Sequence, residues 1–272
     1  MSFARGGRLL ERLAGGTGAS AAPRETEADR RLGGGRVPRR WPTQHAGADP
    51  WSEPGLGASG DQAWLRDPGP SVVREALQQA LLFPAARFLA APRVRGADGL
   101  LHAPQPAVLA PNHSSDLDTP LILAALPRAW RSRTLVGAAS DRFYRTRLYA
   151  VATSLWINTF PFDRGGDLRG LAAAAELLRD GHNVLLYPQG TRSGASLEGF
   201  RVGAARLCLA TGAPIVPIHV AGTALIMPKD RGLIQRGRAT VSFGRPLYPS
   251  PDEEPVELMR RTREAIEALG AR

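Results

Sequence analysis

One ten-residue stretch, "PNHSSDLDTP" at residues 111–120, holds a single histidine, His113, together with three hydroxyl side chains and two carboxylates. An imidazole can accept and release a proton near neutral pH, and a neighbouring carboxylate can fix which ring nitrogen carries the proton. The same cluster is also compatible with a metal site, or with a polar helix start that does no chemistry. These three alternatives predict different residues elsewhere in the chain.

Two further stretches place glycine and arginine where an apolar strand ends. They are "FPFDRGG", which contains Arg164, and "YPQGTRSG", which contains Gly190, Thr191 and Arg192. Glycine lets the backbone approach a ligand closely, a helix N-terminus offers free N–H groups, and arginine can bind two phosphate oxygens. Because ligands of an open α/β sheet gather at strand ends, these residues predict a phosphate pocket beside His113.

Metal binding accounts for the cluster less well than proton transfer does. The other histidines have no close ligand spacing, and no second stretch supplies a group of carboxylates, so we predict no metal ligands. The G-x-S-x-G turn of many serine hydrolases is also missing from the sequence. The single cysteine, Cys208, excludes an intrachain disulfide, and its apolar setting "ARLCLA" favours a small buried side chain on a helix.

Short apolar strands alternate with helical stretches from about residue 105. The predicted strands are "AVLAPN", "TLVGAA", "WINTFPF", "NVLLYP", "PIVPIHV" and "ATVSFG". The clearest helices are "DLRGLAAAAELLRDG", ending at Gly181, and "SPDEEPVELMRRTREAIEALG", with Ser250 as N-cap and Pro251 at the first position. Another helix is expected to begin near Ser115. This alternation predicts a single α/β domain, with a largely parallel or mixed sheet flanked by helices.

The composition adds a core and a positive charge to this fold. Of the 272 residues 43% are apolar, and the formal net charge is +10, nearly all of it from arginine because Lys229 is the only lysine. Arginine suits bidentate binding of phosphate or carboxylate, although GC-rich coding would also raise its frequency. Residues 1–60 are crowded with Gly, Ala, Arg, Pro and Ser, which predicts a disordered low-complexity tail. No secretory signal is recognised there, so export is not indicated.

The segment "SVVREALQQALLFPAARFLAAP", residues 71–92, repeats apolar residues at helical spacing. Charged residues interrupt it and Pro84 is expected to kink it, so it is a poor transmembrane span. It predicts either an interfacial helix that seats the protein on a bilayer or a helix packed on the core. The sequence alone leaves these two alternatives open.

Four motifs, taken in order, resemble the conserved blocks of the glycerolipid acyltransferase family, which includes lysophosphatidic acid acyltransferase. "NHSSDLD" matches its N-H-x-S-x-x-D block, "FPFDRGG" resembles the second block, "YPQGTRS" resembles F-P-E-G-T-R-S, and "APIVPIHVAG" resembles the fourth. Order and spacing agree over roughly residues 70 to 270. One such motif would be weak evidence, whereas four in order are specific.

The resemblance implies roles for individual residues. His113 would be the general base on an acceptor hydroxyl, and Asp118 would orient and stabilise its imidazole, with Asp116 as a nearby rival. Arg164 and Arg192 would bind the acceptor phosphate. The remaining implied contacts would come from the third and fourth blocks, where Gly190 and Thr191 help to bind that phosphate, Pro217 forms apolar wall, and His219 is structural.

The implied reaction is transfer of a fatty acyl chain from acyl-CoA or acyl carrier protein to the hydroxyl of a lysophospholipid, most simply lysophosphatidic acid to phosphatidic acid. The acceptor could also be another lyso-lipid or a glycolipid, and a non-catalytic lipid-binding relative is the alternative from another class. The thioester is a co-substrate, so no cofactor is expected. The expected partners are the lysophospholipid acceptor, the acyl thioester donor and a membrane surface, with no nucleic acid, and the expected location is cytoplasmic, peripheral on the inner face of the membrane.

One residue departs from the family pattern. Gln189 stands where the family usually has glutamate, so the site keeps a hydrogen-bond acceptor but loses a negative charge beside Arg192. We count it among the substrate-binding residues. With the resemblance, the chain divides into a tail (1–60), a linker with a candidate membrane-facing amphipathic helix (61–100) and an acyltransferase domain (101–272).

Overall fold

A computed structural model describes residues 67–139, 143–144, 147–162, 168–190, 199–228, 234–250 and 252–271. The predicted tail at 1–60 lies outside the described residues. Three of the predicted site residues also lie outside them: Arg164, Thr191 and Arg192.

The described strands form one mixed sheet, which confirms the predicted α/β fold. The strands are β1 (Arg93–Arg95), β2 (Val108–Pro111), β3 (Thr134–Ala139), β4 (Thr159–Phe162), β5 (Asn183–Leu185), β6 (Ile215–Ala221) and β7 (Thr240–Phe243). Their order across the sheet is β1-β7-β6-β2-β5-β3-β4. The block from β6 to β4 is parallel, whereas β7 runs antiparallel to β6 and pairs in parallel with β1. The carboxyl ends of β2, β4, β5 and β6 therefore lie at one edge.

Helices cover both faces of this sheet. They are α1 (Pro68–Leu77), α2 (Phe83–Ala90), α3 (Ala97–Leu100), α4 (Asp118–Ala125), α5 (Arg128–Arg131), α6 (Arg147–Ile157), α7 (Leu168–Arg179), α8 (Gly203–Thr211), α9 (Thr223–Ile226) and α10 (Pro255–Gly270). On one face α7, α8 and α10 pack over Val108, Val184 and Ile215. On the other, α2 and α4 pack over Leu109, Leu185 and Val216.

The central strands are apolar on both sides because both faces are covered. Every residue of β2 and β5 is buried, which explains why β2 reads as a continuous apolar run and why β5 is apolar after Asn183, whose Oδ1 accepts the Ala107 N–H. Cys208 is fully buried in α8, as predicted. Its burial raises the pKa of the thiol, so the side chain acts as a small apolar residue.

A continuous helical segment, 68–90, joins α1 to α2 through a π-helical turn at Gln78–Leu82. The Phe83 N–H donates to the Gln78 carbonyl five residues earlier, directly before Pro84. Since Pro84 has no N–H, this wider turn accommodates it without a break in the helix. In the described part of the chain, no helix is both long and apolar enough to span a bilayer.

Several element boundaries differ from the predictions. The last helix begins at Pro255, not at Pro251, and Glu254 rather than Ser250 is its N-cap. The reason is that Pro255 fits the first helical position and keeps Glu254 in extended backbone (φ −71°, ψ 142°).

The other differences concern shorter stretches. The helix after His113 begins at Asp118 rather than near Ser115, because the Asp118 side chain first closes the preceding turn. The residues "WI" of "WINTFPF" belong to α6, and β1, with the sequence "RVR", was not predicted because it has no apolar run.

Candidate active site

The amide side chain of Asn112 fixes the point where β2 ends. Its Nδ2 donates to the Val220 carbonyl at 2.8 Å, and its Oδ1 accepts the Val220 N–H at 2.6 Å. Asn112 is buried, so these bonds replace the backbone pairing that β2 would otherwise lose. The turn that follows is thereby held against β6.

His113 and Asp118 form a hydrogen-bonded pair on this turn. His113 Nδ1 lies 3.0 Å from Asp118 Oδ2, and the His113 side chain is 16% exposed while the Asp118 side chain is fully buried. The same Oδ2 accepts the backbone N–H groups of Ser114, at 2.7 Å, and Ser115, at 2.9 Å. With Nδ1 bound to the carboxylate, Nε2 is the ring nitrogen left for a proton on a ligand.

Tyr187 covers one face of the imidazole. The two rings stack with centroids 3.9 Å apart and an interplanar angle of 28°. The Tyr187 hydroxyl lies 2.7 Å from Thr119 Oγ1 in α4. Burial, and then the Asp118 carboxylate, raise the pKa of this phenol, so it stays protonated and packs against the imidazole as a neutral ring.

Gln189 supports the same turn from the end of β5. Its Oε1 accepts the backbone N–H of His113 at 2.6 Å, and the residue is 5% exposed. Gly190 follows with φ +67°, and a Cβ added there would lie 3.2 Å from Arg201 Nε. The glycine thus lets the Arg201 side chain approach the chain next to Gln189, which brings a positive charge to this corner of the site.

Thr223 reaches the pair from the turn after β6. Its hydroxyl donates to Asp118 Oδ1 at 2.5 Å and lies 2.9 Å from Ser114 Oγ. Ser115 Oγ donates to the Met227 carbonyl, which ties the His113 turn to the other end of α9. The carboxylate of Asp118 therefore accepts hydrogen bonds from the turn that follows β2 and from the turn that follows β6.

The structure brings together some of the residues predicted from the motifs. His113, Asp118, Gln189 and Gly190 lie at one edge of the sheet, where β2 and β5 end. Pro217 does not join them. It pairs with Ala110 inside the sheet, and its Cγ approaches Gly244 beside Leu269 of α10.

Two other predicted positions lie outside the hydrogen-bonded pair. Asp116 sits in the turn before α4 and is partly exposed. His219 in β6 is half-buried against Gly270, and burial lowers the pKa of its imidazole.

Sequence reasoning missed three residues that the structure adds to the site, Tyr187, Arg201 and Thr223. Thr223 was detectable in principle, because it follows β6 by two residues and strand ends were already the places to search. Tyr187 was detectable in the same way, because it follows β5 by two residues, whereas Arg201 carries no such signal, since an exposed arginine is common in loops. Across the described residues, no three His, Cys, Asp or Glu side chains converge on a metal-sized site.

Comparison with known proteins shows which family this fold and site resemble. The model of the Acyltransferase family matches residues 92–221, which contain His113, Asp118 and Gln189. The chain is 28% identical over 166 residues to the chloroplastic 1-acyl-sn-glycerol-3-phosphate acyltransferase BAT2 of Brassica napus, covering 58% of this chain and 45% of that protein. The chain therefore resembles the glycerolipid acyltransferases over this region.

Other members of that family give similar matches. The 1-acyl-sn-glycerol-3-phosphate acyltransferase of Chlamydomonas reinhardtii is 26% identical over 173 residues, which is 63% of this chain and 50% of that protein. The chain thus spans about half the length of the curated relatives it matches. The crystal structure of the 1-acyl-sn-glycerophosphate (LPA) acyltransferase PlsC from Thermotoga maritima superposes with a TM-score of 0.56 at 19% identity, covering 78% of this chain and 93% of PlsC. The chain therefore shares the PlsC fold.

Proposed function

We propose that this protein transfers a fatty acyl chain from a thioester to the hydroxyl of a lysophospholipid, most simply converting lysophosphatidic acid to phosphatidic acid. The observation that carries the proposal is the His113–Asp118 pair, with Nδ1 bound to a fully buried carboxylate and Nε2 left for the acceptor. The names of the plant and algal relatives supply the acceptor class. Acyl transfer needs a base at this position because a neutral hydroxyl attacks a thioester poorly.

In the proposed mechanism, Nε2 of His113 takes the proton of the acceptor hydroxyl as that oxygen attacks the thioester carbonyl. Asp118 stabilises the resulting imidazolium and keeps Nε2 aimed at the acceptor. The tetrahedral intermediate then collapses, the C–S bond breaks, and the imidazolium returns its proton to the departing thiolate. No acyl-enzyme forms, because the hydroxyl attacks the donor directly.

Arginines are proposed to bind the acceptor phosphate. Arg164 and Arg192 hold this role by family resemblance, together with Gly190 and Thr191. Arg201 is a further candidate because its guanidinium lies beside Gly190, near the residue that supports His113. A phosphate bound at this corner would place the glycerol hydroxyl within reach of His113. Pro217 is still proposed to form part of an apolar wall, although it lies within strand β6 and not in the His113 turn.

The protein is proposed to act as a peripheral membrane enzyme on the inner, cytoplasmic face of a membrane. Four apolar side chains of helical segment 68–90 are exposed: Val72 by 67%, Val73 by 50%, Leu81 by 54% and Phe88 by 62%. Leu225 and Ile234 are also exposed, by 73% and 53%. The loop that carries Ile234 bonds to this segment, since Gly237 N–H donates to the Leu89 carbonyl.

Basic side chains border this apolar surface. The Arg236 guanidinium lies 4.0 Å from the centre of the Phe88 ring and donates to the Phe88 carbonyl. Arg87 is exposed on the same helix. An apolar surface bordered by arginines suits a bilayer that contains anionic lipid. The acyl chains of acceptor and product would then stay in the membrane while the polar groups enter the site.

An acceptor and donor panel tests the proposal. Purified full-length protein would be incubated with labelled acyl-CoA or acyl carrier protein and with lysophosphatidic acid, other lysophospholipids, a glycolipid acceptor or no acceptor. We expect labelled phosphatidic acid as the main product. Label appearing only in free fatty acid would reject acyl transfer, and a preferred acceptor without phosphate would reject the phosphate site. The two donors in parallel decide between acyl-CoA and acyl carrier protein.

A further inference from the structure

The Asp118 carboxylate receives more hydrogen bonds than the His113–Asp118 pair requires. Oδ2 binds His113 and two backbone N–H groups of the same turn, whereas Oδ1 binds the hydroxyl of Thr223. The first three contacts span at most five residues of sequence, and the contact from Thr223 spans 105. Thr223 is therefore the contact that ties the carboxylate to a different part of the fold.

The backbone around Thr223 is built to hold it in place. Thr223 is fully buried and begins α9, directly after Gly222 at φ +85°. A Cβ at residue 222 would lie 2.3 Å from the Arg238 carbonyl oxygen, so only glycine fits this turn. The hydroxyl of Thr223 is thus presented to Asp118 by a rigid connection from β6.

The direction of the hydrogen bonds follows from the groups present. A hydroxyl has one hydrogen, and a carboxylate can only accept, so Thr223 Oγ1 donates to Asp118 Oδ1. Thr223 Oγ1 must then accept from Ser114 Oγ, 2.9 Å away. The result is a chain of two hydroxyls that ends on the carboxylate and starts beside His113.

We propose that Thr223 is a positioning residue for the acyl transfer, a role that rests on the proposed function. Its bond to Oδ1 fixes the rotation of the Asp118 carboxylate, which aims Oδ2 at His113 Nδ1 and so aims Nε2 at the acceptor. Without the hydroxyl, the carboxylate keeps its backbone donors but can rotate away from the imidazole. Such a loss reduces the rate of the chemical step without changing how the acceptor binds.

Paired substitutions test this role. Thr223→Val replaces the hydroxyl with a methyl group of similar size, and Thr223→Ser keeps the hydroxyl. We expect Thr223→Val to lower kcat by about 10- to 100-fold at unchanged acceptor KM, because one bond to a buried charged group is lost. Thr223→Ser should recover most of that rate.

Thr262→Val is the matched control. Thr262 is also fully buried, but its hydroxyl donates to the Leu258 carbonyl within α10, on the opposite face of the sheet. The Thr262→Val substitution should leave kcat unchanged. If Thr262→Val and Thr223→Val lower kcat equally, loss of a buried hydroxyl explains both, and the positioning role is rejected.

A double-mutant cycle separates positioning from simple packing. In an Asp118→Asn background, Thr223→Val should lower the residual rate by less than about threefold, because the carboxylate it positions is already gone. An equal effect in both backgrounds would overturn the proposal. If Thr223→Val does not fold, as judged by circular dichroism and Tm, Thr223→Ala replaces it in the same cycle.

A readout without turnover keeps this inference separate from the proposed function. The ring-nitrogen NMR signals of His113, recorded with no substrate, should change in Thr223→Val and not in Thr262→Val. If the His113 signals change in Thr223→Val but the wild-type protein acylates no acceptor, the proposed function is rejected and the contact between Thr223 and Asp118 is supported. Unchanged His113 signals in an active enzyme would reject the positioning role alone.

Discussion

The turn at 111–118 and the helical segment 68–90 differ in where they place polar and apolar side chains. In the turn, the fully buried Asp118 carboxylate receives donors on both oxygens, so burial of a charge is compensated inside the chain. In the helical segment, Arg74 is 7% exposed and Gln78 5% exposed, while Phe88 is 62% exposed. Two polar side chains therefore lie inward there, while a large apolar side chain is exposed.

The turn is thus a site whose buried charge is paired within the chain, whereas segment 68–90 presents apolar side chains to solvent. Buried polar groups with partners are stable as they stand. An apolar side chain left in water forgoes roughly 25 cal/mol for each Å² that could be buried, and a bilayer would bury it. Substitutions in the turn should therefore affect the chemical step, whereas substitutions on the outer side of segment 68–90 should affect where the enzyme resides.

The largest expected effect is on the turn. His113→Ala removes the proposed base, so we expect kcat to fall by roughly 10²- to 10⁴-fold while the fold is retained. Initial rates with saturating thioester donor and acceptor measure this. The control is His102→Ala, which makes the same change at an exposed histidine outside the site. A well-folded His113→Ala enzyme with near-wild-type rate would rule out base catalysis by this residue.

The next largest effect distinguishes the two carboxylates of the turn. Asp118→Asn should lower kcat by roughly 10²- to 10⁴-fold, because an amide offers the imidazole no negative charge and can leave it in the wrong tautomer. Asp116→Asn should have a small effect, since Asp116 is partly exposed and Asp118 is the carboxylate bonded to His113. Initial rates of the two variants, measured side by side after their Tm values are shown to be equal, test this. A larger loss at residue 116 would reverse the assignment.

Much of the fold and part of the site could be predicted from the sequence. The buried strands β2, β3 and β5 stood out because parallel strands covered on both faces need continuous apolar residues. The pairing of His113 with Asp118 came from the family motif, which fixes their spacing along one turn. A short local motif is visible in sequence because all of its members lie within a few residues.

The missed features depend on contacts between distant residues. Thr223 was missed because it meets Asp118 across 105 residues. Gln189 was named from the family motif, but its bond to the His113 backbone, across 76 residues, is not visible locally. The strand β1 is short and arginine-flanked, and it exists because β7 offers a free edge to pair with. Whether segment 71–92 lies inward or outward was also undecided, because its periodicity is the same in both cases. The structure gives it both an inner side, with Phe83 and Ala86 buried, and an exposed apolar side.

Substitutions on the exposed apolar side of segment 68–90 should have an intermediate effect, which is on membrane binding. Leu81→Glu and Phe88→Glu each place a charge on the exposed apolar side of segment 68–90 and should lower binding to vesicles containing anionic lipid by about 10-fold. Co-sedimentation with vesicles measures it. Activity on acceptor dissolved in detergent should change little. Leu77 is less informative because it is only partly exposed.

Val256→Glu is the matched control for membrane binding. Val256 is also an exposed apolar residue, at 55%, but it lies on α10 across the sheet. Equal vesicle binding by all three folded variants would refute the interfacial role. Variants at residue 81 or 88 that unfold would instead assign these side chains to the core.

The smallest expected effect concerns Gln189, where the chain departs from the pattern of the family that it resembles. Gln189 Oε1 accepts the His113 N–H at 2.6 Å, and a glutamate oxygen can accept the same bond. Gln189→Glu should therefore keep activity within about 10-fold of wild type, since the turn keeps its support. The added negative charge lies near Gly190 and Arg201, so it should weaken acceptors with more negative charge and change the ranking of the acceptor panel. Gln105→Glu is the control, because Gln105 Oε1 also accepts an N–H, in this case from the Asn183 side chain, outside the site. An unchanged ranking would show that residue 189 only supports the His113 turn. An inactive wild type that Gln189→Glu activates would mean that the natural glutamine abolishes turnover, and would favour a lipid-binding role for this chain.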